Sequence, residues 1–288
     1  LRKTTSRLVT YDRHMVMESG SHSLRGSVAM VTGAGSGMGE AFARRLAADG
    51  ATVAVLDINA TNASRVANDI SGSAYVVDVA ESIHFDQAIA AVVAEHGRLD
   101  IMVNNAGIAP PNDEVKLEAS IANQMRRIEG NPGDLTPLNY LADISDAEWD
   151  RMLKVHLYGT FYGCRGALRH MVPARHGVIV NVSSILGLRH ASGAPHYAAA
   201  KAGIISLTKS VAEESAGFGV RVNAVCPGWI DTPLLAPIGS KLKGMITSRI
   251  GMGRMGQASE IAELVRFLCG PESSYCTGDV FSASGGYN

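Results

Sequence analysis

Short apolar runs alternate with longer stretches of helical spacing along most of the chain. The short runs are predicted to be strands covered on both faces, and they lie at Val28–Thr32, Thr52–Leu56, Ala74–Val77, Ile101–Val103, Val178–Val182, Val220–Val225 and Val280–Ser282. The longer stretches are predicted to be helices, and they lie at Gly39–Asp49, Ala60–Ile70, Ser82–His96, Ala147–Met171, Tyr197–Ala216 and Ser259–Leu268. This alternation is typical of repeated βαβ units. The pattern therefore predicts an α/β fold, with a doubly wound, parallel, seven-stranded sheet flanked by helices.

Three segments interrupt this alternation. Residues 1–23 show no hydrophobic periodicity, and we expect a tag, a linker or a disordered arm there, which leaves residues 24–288 as a single domain. Residues 108–144 contain four prolines around a possible helix at Glu114–Ile128, and we interpret them as an insertion, not as a second domain. Residues 233–255 are rich in leucine, isoleucine and methionine, and we expect a mobile substrate lid there.

Composition argues against several kinds of partner. The 26 Lys and Arg residues nearly balance the 27 Asp and Glu residues, so charge gives no reason to expect nucleic acid or an anionic membrane as the partner. No apolar run reaches the length of about 18 residues that a membrane span needs, and we expect a cytoplasmic protein with a small, weakly charged substrate. The four cysteines and nine histidines lack the spacing of a zinc site or a disulfide framework, so no metal site is predicted.

A glycine-rich loop at Thr32–Gly39 lies between the first predicted strand and the first predicted helix. Backbone N–H groups in such a loop, and at the start of a helix, bind a pyrophosphate. The candidate phosphate-binding residues are Gly33, Gly35, Ser36, Gly37, Met38 and Gly39. Asp57 ends the second strand, where a carboxylate accepts hydrogen bonds from the adenosine ribose and repels a 2′-phosphate. Because no Arg or Lys lies in the loop or directly after Asp57, the sequence predicts NAD in preference to NADP, bound to a Rossmann fold.

Tyr197 and Lys201 lie four residues apart in a predicted helix, so their side chains share one face. A phenol is a poor acid or base near pH 7, and a fixed cation beside it stabilises the phenolate. Ser184 precedes Tyr197 by thirteen residues and supplies a hydroxyl that can stabilise charge on a substrate oxygen. These three residues are the candidate catalytic group for proton transfer.

From about Leu24 onwards the sequence resembles the short-chain dehydrogenase/reductase family. Besides the glycine loop and the Ser184, Tyr197 and Lys201 group, the family's Asn-Asn-Ala-Gly motif stands at Asn104–Gly107 and its Pro-Gly segment at Pro227–Thr232. The resemblance implies further contacts to the cofactor, made by Asp78, Val79, Asn105, Ala106, Gly107, Tyr197, Lys201, Pro227, Gly228, Ile230 and Thr232. It also implies a homotetramer or a dimer built on the helices Ala147–Met171 and Tyr197–Ala216.

One position departs from the family pattern. His156 stands where many members carry Asn, and in those members the Asn anchors a water that feeds protons to the lysine. A His side chain can also bond a carbonyl and a water, but it is bulkier and ordinarily titrates near pH 6.5. His156 is therefore a candidate catalytic residue, and the alternative that it is a packed core residue stays open.

The sequence thus predicts an NAD-dependent oxidoreductase that interconverts a secondary alcohol and a ketone, with Tyr197 as general acid and base. The candidate substrate residues are Ser184, Leu186, His190, Trp229 and Leu234. One alternative is a 3-oxoacyl thioester reductase of the fatty-acid or polyketide type, although Asp57 argues against the NADPH dependence usual in those enzymes. Another is a nucleotide-binding sensor without turnover, although the intact catalytic group argues against it.

Overall fold

A computed structural model describes residues 23–111, 113–189, 193–236 and 239–287. Within these residues the central sheet has seven parallel strands in the order β3-β2-β1-β4-β5-β6-β9. These strands are β1 (Val28–Thr32), β2 (Thr52–Asp57), β3 (Ser73–Val76), β4 (Ile101–Asn104), β5 (Gly177–Val182), β6 (Val220–Pro227) and β9 (Val280–Ala283). Two shorter strands, β7 (Ile230–Asp231) and β8 (Gly256–Gln257), pair with each other as a separate small sheet.

Helices cover both faces of the sheet. The α-helices in the described part of the chain are α1 (Gly37–Ala48), α2 (Ala60–Asp69), α3 (Ser82–His96), α4 (Glu114–Ile128), α5 (Asp146–Leu153), α6 (Gly159–Ala174), α7 (Ile185–Leu188), α8 (Pro195–Ser215), α9 (Ser240–Ser248) and α10 (Ala258–Cys269). One apolar core lies between the sheet and helices α1, α2 and α10, and a second lies between the sheet and helices α3, α6 and α8. The sheet is therefore the middle of three layers, and the predicted fold class is confirmed.

Some predicted elements need correction. Burial alternates along β3, which lies at one edge of the sheet, so the expectation that every strand is covered on both faces is wrong for β3. The helix predicted at Ala147–Met171 consists of α5, a π-helical turn at Lys154–Tyr158, and α6. Helices α7 and α9 and strands β7 and β8 have no counterpart in the prediction, because such short elements contain too few residues to show a period.

The predicted insertion forms α4 and a short 3₁₀ turn. The buried side chain of Asn123 bonds the backbone N–H of Thr136 at 2.8 Å and its carbonyl oxygen at 2.7 Å. Lys116 forms a salt bridge with Asp143 at 2.6 Å. Val115, by contrast, is 78 % exposed. Polar contacts within the insertion, more than apolar burial, therefore order this segment.

Hydrogen bonds join the carboxyl ends of β1 and β4. The Thr32 hydroxyl accepts from the backbone N–H of Asn105 at 2.9 Å and from that of Ala106 at 3.0 Å. The strand order reverses between β1 and β4, and ligands of doubly wound sheets bind in the crevice at such a switch point. The fold thereby places the glycine loop, which follows β1, beside the segment that follows β4.

Candidate active site

Tyr197 and Lys201 lie one turn apart in α8. The buried Lys201 donates from Nζ to the carbonyl oxygen of Val182 at 2.8 Å, and Nζ lies 5.7 Å from the centre of the Tyr197 ring. The Ser183 hydroxyl donates to the backbone carbonyl of Lys201 at 2.7 Å, which fixes α8 to the end of β5. Ser184 is then the serine whose hydroxyl lies beside the Tyr197 phenol.

Burial changes the acidity of both residues in α8. Desolvation of the ammonium lowers the pKa of Lys201 to about 7. Desolvation also raises the pKa of the Tyr197 phenol, and the hydrogen bond with Ser184 offsets only part of that increase. Burial therefore outweighs the expected stabilisation of the phenolate by Lys201, and Lys201 itself changes charge close to neutral pH.

The imidazole of His156 lies in the middle of the π-helical turn and is 2 % exposed. Its Nε2 atom lies 3.0 Å from the carbonyl oxygen and 3.1 Å from the backbone nitrogen of Ile108. Its Nδ1 atom is buried and has no hydrogen-bond partner among the described residues. Burial, and next the charge of Lys201, hold the pKa of His156 well below its usual value. The ring is therefore neutral near pH 7, with Nδ1 available to a water or a ligand.

Gly107 makes room for this imidazole. A Cβ atom added at Gly107 would lie 2.5 Å from Cε1 and 3.0 Å from Nδ1 of His156. A larger residue at position 107 would therefore push the ring away from Ile108. The sequence predicts a cofactor contact for Gly107, and the structure adds this packing role.

The glycine loop has a shape that fits a bound dinucleotide. Gly33 has a φ of 62° and Gly37 a φ of 56°, a region that glycine adopts without strain. A Cβ atom at Gly39 would lie 2.1 Å from the carbonyl oxygen of Gly33, so no other residue allows this close turn. Ser36 precedes α1 and makes no capping side-chain hydrogen bond, which leaves the first N–H groups of the helix open to a phosphate.

Asp57 lies beside this loop together with a cation that the sequence does not suggest. Its Oδ2 accepts from the backbone N–H of Gly35 at 2.9 Å, and its Oδ1 accepts from that of Asn59 at 2.9 Å. Arg65 of α2 donates to the carbonyl oxygen of Gly35 at 3.0 Å. Glu40 of α1 binds the same guanidinium at 2.7 and 2.9 Å, and this hydrogen bonding lowers the pKa of Glu40. The charge of Arg65 is therefore neutralised by a carboxylate, and only folding brings α2 to the loop.

The remaining predicted cofactor residues follow strands at the same edge of the sheet. Asp78 and Val79 follow β3, and the Asp78 carboxylate accepts from the backbone N–H of Ala80 at 3.0 Å. A Cβ atom added at Gly37 would lie 3.7 Å from Cβ of Thr232, so the segment after β6 reaches the glycine loop. The predicted residues in that segment are Pro227, Gly228, Ile230 and Thr232.

Among the predicted substrate residues, Leu186 is in contact with Ser184. The backbone N–H of Leu186 donates to Ser184 Oγ at 3.1 Å. His190 lies outside the described residues. Leu234 lies in a 3₁₀ turn of the lid segment and is 45 % exposed.

Two aromatic residues, Trp229 and Tyr140, make packing contacts that the sequence does not predict. Trp229 packs against Tyr287 with 6.3 Å between the ring centroids and 62° between the planes. Tyr140 of the insertion lies beside the loop that precedes α8, since a Cβ atom at Gly193 would be 3.6 Å from its ring. The insertion therefore reaches the loop between Ser184 and Tyr197.

The described residues contain neither a metal-binding cluster nor a membrane-spanning helix. No group of three or more His, Cys, Asp and Glu side chains in the described ranges could bind a metal ion. None of the helices described is both long enough and apolar enough to cross a membrane. The four cysteines are free, and burial raises the pKa of Cys164 and of Cys269 to about 12, so these two thiols are unreactive near neutral pH.

Comparisons align most of the chain with known proteins. Residues 27–243 match the family model described as short chain dehydrogenase. The 3-oxoacyl-[acyl-carrier-protein] reductase FabG of Thermotoga maritima is 35 % identical over 268 residues, covering 91 % of this chain and 98 % of that protein. The cis-4-hydroxycyclohexanecarboxylate dehydrogenase of Sinomonas cyclohexanicum is 37 % identical over 264 residues, with coverages of 90 % and 96 %. A crystal structure described as ribose-5-phosphate isomerase from Brucella melitensis 16M has a TM-score of 0.78 at 35 % identity, covering 93 % of this chain and 94 % of that chain.

Proposed function

Because the chain belongs to the short-chain dehydrogenase family and is an oxidoreductase, we propose that it interconverts a secondary alcohol and a ketone by hydride transfer. When bound, the nicotinamide cofactor supplies or accepts the hydride. The observation that carries the proposal is the group formed by Ser184, Tyr197 and Lys201 at the sheet edge where the glycine loop fits a dinucleotide.

Tyr197 is the general acid and base in this proposal. In reduction its phenol gives a proton to the substrate oxygen, and in oxidation the phenolate takes that proton back. Ser184 donates a hydrogen bond to the same oxygen and stabilises the charge that develops there. Lys201 has a pKa of about 7, so it can exchange a proton with its surroundings as well as stabilise the phenolate.

We assign His156 to proton supply and not to substrate contact. Its Nδ1 atom is buried without a described partner, and a buried polar atom of this kind normally binds a water. Such a water would continue the proton path from Lys201. Because the pKa of His156 is low, the neutral ring holds that water through Nδ1 and does not itself titrate near neutral pH.

NAD is the proposed cofactor. Asp57 lies against the glycine loop and would face the adenosine ribose, where its charge repels a 2′-phosphate. Arg65 is the nearby cation, but Glu40 neutralises it. The similarity to FabG favours NADP instead, because enzymes of that type usually depend on NADPH. Parallel kinetics with NADH and NADPH test the proposed preference, and a higher kcat/KM with NADPH would contradict it.

Two substrate classes have support, and we place the 3-oxoacyl thioester first. One relative is named as a 3-oxoacyl-[acyl-carrier-protein] reductase, and another as a dehydrogenase of a ring alcohol. The lid adds an argument, since the sequence from Thr232 to Ser259 contains no Asp or Glu and carries Lys241, Lys243 and Arg249. A fourth cation in this stretch, Arg254, is paired with Glu260 at 2.7 Å. A cationic lid suits the phosphates of a thioester carrier. An apolar or cyclic ketone is the second class.

A spectrophotometric assay at about 340 nm tests the proposed function by following NADH and NADPH consumption. The two probes are acetoacetyl-CoA for the thioester class and 4-oxocyclohexanecarboxylate for the ring class. Faster turnover of acetoacetyl-CoA supports the first class, and faster turnover of the ring ketone supports the second. Tight NADH binding with no reduction of either ketone would favour the sensor alternative and contradict the proposal.

We also propose that the protein assembles as a homotetramer or a dimer through α6 and α8. Phe161 on α6 is 40 % exposed and Tyr158, which precedes that helix, is 44 % exposed, so aromatic surface is available for a partner copy. Within the chain, α8 and the π-helical turn already approach closely at Gly203 and Leu157. Light scattering coupled to size-exclusion chromatography tests the assembly, and a monomer would contradict it.

A further inference from the structure

The lid, residues 233–255, is closed at its base by backbone pairing. Strand β7 lies just before the lid and β8 just after it, and the two strands pair in parallel, Ile230 with Gly256 and Asp231 with Gln257. The N–H of Gly256 also donates to the carbonyl oxygen of Trp229 at 2.9 Å. Both ends of the lid segment therefore leave from one small sheet.

A second set of contacts ties the end of the lid to the segment that follows β9. The N–H of Met252 donates to the carbonyl oxygen of Gly285 at 2.9 Å, and Ile250 forms an antiparallel bridge with Tyr287. Gly285 has a φ of 63° and Gly286 a φ of 75°, both in the left-handed region. The two glycines therefore allow the chain to turn back onto the lid.

Tyr287 supplies the side-chain part of this contact. Its ring lies edge to face against Trp229 and 5.4 Å from the guanidinium carbon of Arg249, which follows α9 in the lid. Trp229 belongs to the segment that carries Ile230 and Thr232, which the family resemblance assigns to the nicotinamide. One tyrosine ring thus bridges the lid and the cofactor segment. The indole Nε1 of Trp229 is buried without a described hydrogen-bond partner, so packing, not a hydrogen bond, fixes the indole.

We propose that Tyr287 is a positioning residue that clamps the end of the lid, residues 239–255, against the cofactor segment and so determines how tightly the ketone substrate is bound. The effect on substrate binding rests on the proposed function, whereas the effect on the position of the lid does not. Loss of the ring removes its contacts with Arg249 and Trp229 and leaves only the backbone contacts of Ile250 and Met252, so the end of the lid separates from the cofactor segment more often. Substrate dissociates faster, while the glycine loop keeps its own contacts, among them the hydrogen bond from Gly35 to Asp57, and still binds the cofactor.

Kinetics of Tyr287→Ala test the first consequence. Losing an aromatic contact of this kind changes a binding constant by about fivefold. KM for acetoacetyl-CoA should therefore rise by about that factor, while kcat stays within about twofold of the wild-type value. Tyr287→Phe keeps the ring and should match the wild type. Tyr275→Ala is the matched control, because Tyr275 is fully exposed. The dissociation constant for NADH, measured by fluorescence, should stay unchanged in all three variants.

Limited trypsin digestion tests the second consequence without any turnover. Lys243 and Arg249 are cleavage sites within the lid segment, and Tyr287→Ala should speed cleavage there by about fivefold relative to Tyr275→Ala. If Tyr287→Ala does not fold, the exposed Arg249→Gln replaces it, with cleavage followed at Lys243. Unchanged KM and cleavage would overturn the clamp, and so would an NADH affinity that weakens as much as substrate binding. If the wild type reduces neither ketone, the proposed function fails and the digestion alone decides the clamp.

Discussion

The ring of Tyr197 meets the imidazole of His156 edge to face, with 5.1 Å between the ring centroids and 84° between the planes. The contact joins the proposed acid and base to the residue that departs from the family pattern. Contacts of this geometry stabilise by about 0.5–1.5 kcal/mol beyond burial. The orientation of the phenol therefore depends on how His156 packs, and His156 in turn depends on Ile108.

Removing the phenol hydroxyl should stop the chemistry and spare cofactor binding. In Tyr197→Phe the ring still packs on His156, but no proton can reach the substrate oxygen. We expect kcat to fall by about 10²–10⁴-fold. NADH titration by fluorescence should give the wild-type dissociation constant. Turnover equal to that of the wild type would contradict the role of Tyr197.

Two substitutions of His156 separate proton supply from packing. His156→Asn keeps a side chain that can bond Ile108 and a water, so kcat should stay within about tenfold, whereas His156→Leu should lose about 100-fold. Because the pKa of His156 is already well below its usual value, the pH profile of kcat should keep its limbs in His156→Asn. An acid limb that disappears in this variant would show that the imidazole titrates during turnover.

The buried lysine should make stability depend on pH. The pKa of Lys201 is about 7 in the folded protein, compared with the ordinary value of 10.5, so the unfolded chain binds more protons between these values and stability rises as pH increases from 7. Lys201→Met lacks this dependence. The amount by which its Tm exceeds that of the wild type should be largest at about pH 6 and shrink towards about pH 8.5. Burial raises the pKa values of Cys226 and Tyr197, so these two groups begin to lose protons only above this range. Parallel Tm curves, measured by circular dichroism, would contradict the lowered pKa.

Reversing the charge beside the ribose should change the cofactor. In Asp57→Ala combined with Ile58→Arg, the repelling carboxylate is removed and a cation is added at a position that is 67 % exposed. The ratio of kcat/KM for NADP to that for NAD should rise by about 100-fold. Overall efficiency with NAD should also fall, because Asp57 accepts a hydrogen bond from Gly35. A wild-type enzyme that already prefers NADP would show that the role given to Asp57 is wrong.

Removing the negative charge that pairs with Arg65 should shift the cofactor preference towards NADP by a smaller amount. In Glu40→Gln the guanidinium loses its nearer carboxylate partner, and it keeps the longer contact of 4.0 Å with Asp69 and its hydrogen bond to the Gly35 carbonyl. KM for NADP should fall by up to about fivefold, since an exposed ion pair is worth no more than about 1 kcal/mol. Glu263→Gln is the control, because it removes an exposed carboxylate that pairs with Arg45 on α1. An equal effect in both variants would mean that net charge, not Arg65, is responsible.

The strands of the sheet could be predicted because each is visible in the sequence as a short run of apolar residues. Val28–Thr32 has the same bounds in the sequence pattern and in the structure, since all five residues are buried and apolar or small. The insertion helix Glu114–Ile128 also has the predicted bounds. Ser184, Tyr197 and Lys201 could be proposed together because helical spacing and family motifs both select them.

The rest depends on contacts between distant residues. Arg65 reaches Gly35 across 30 positions, and nothing near either residue signals that contact. The pairing of β7 with β8 and the approach of Tyr287 to Trp229 arise in the same way, from tertiary packing. The π-helical turn at Lys154–Tyr158 has ordinary helical residues, so periodicity alone predicts a continuous helix.

The close approach of Gly107 to His156 constrains which residues these two positions can hold together. With a Cβ atom at position 107, the imidazole could not occupy its place next to Ile108. Histidine at position 156 therefore requires glycine at position 107. The effects of substitutions at these two positions are coupled, so the stability change of a double variant should differ from the sum of the two single changes.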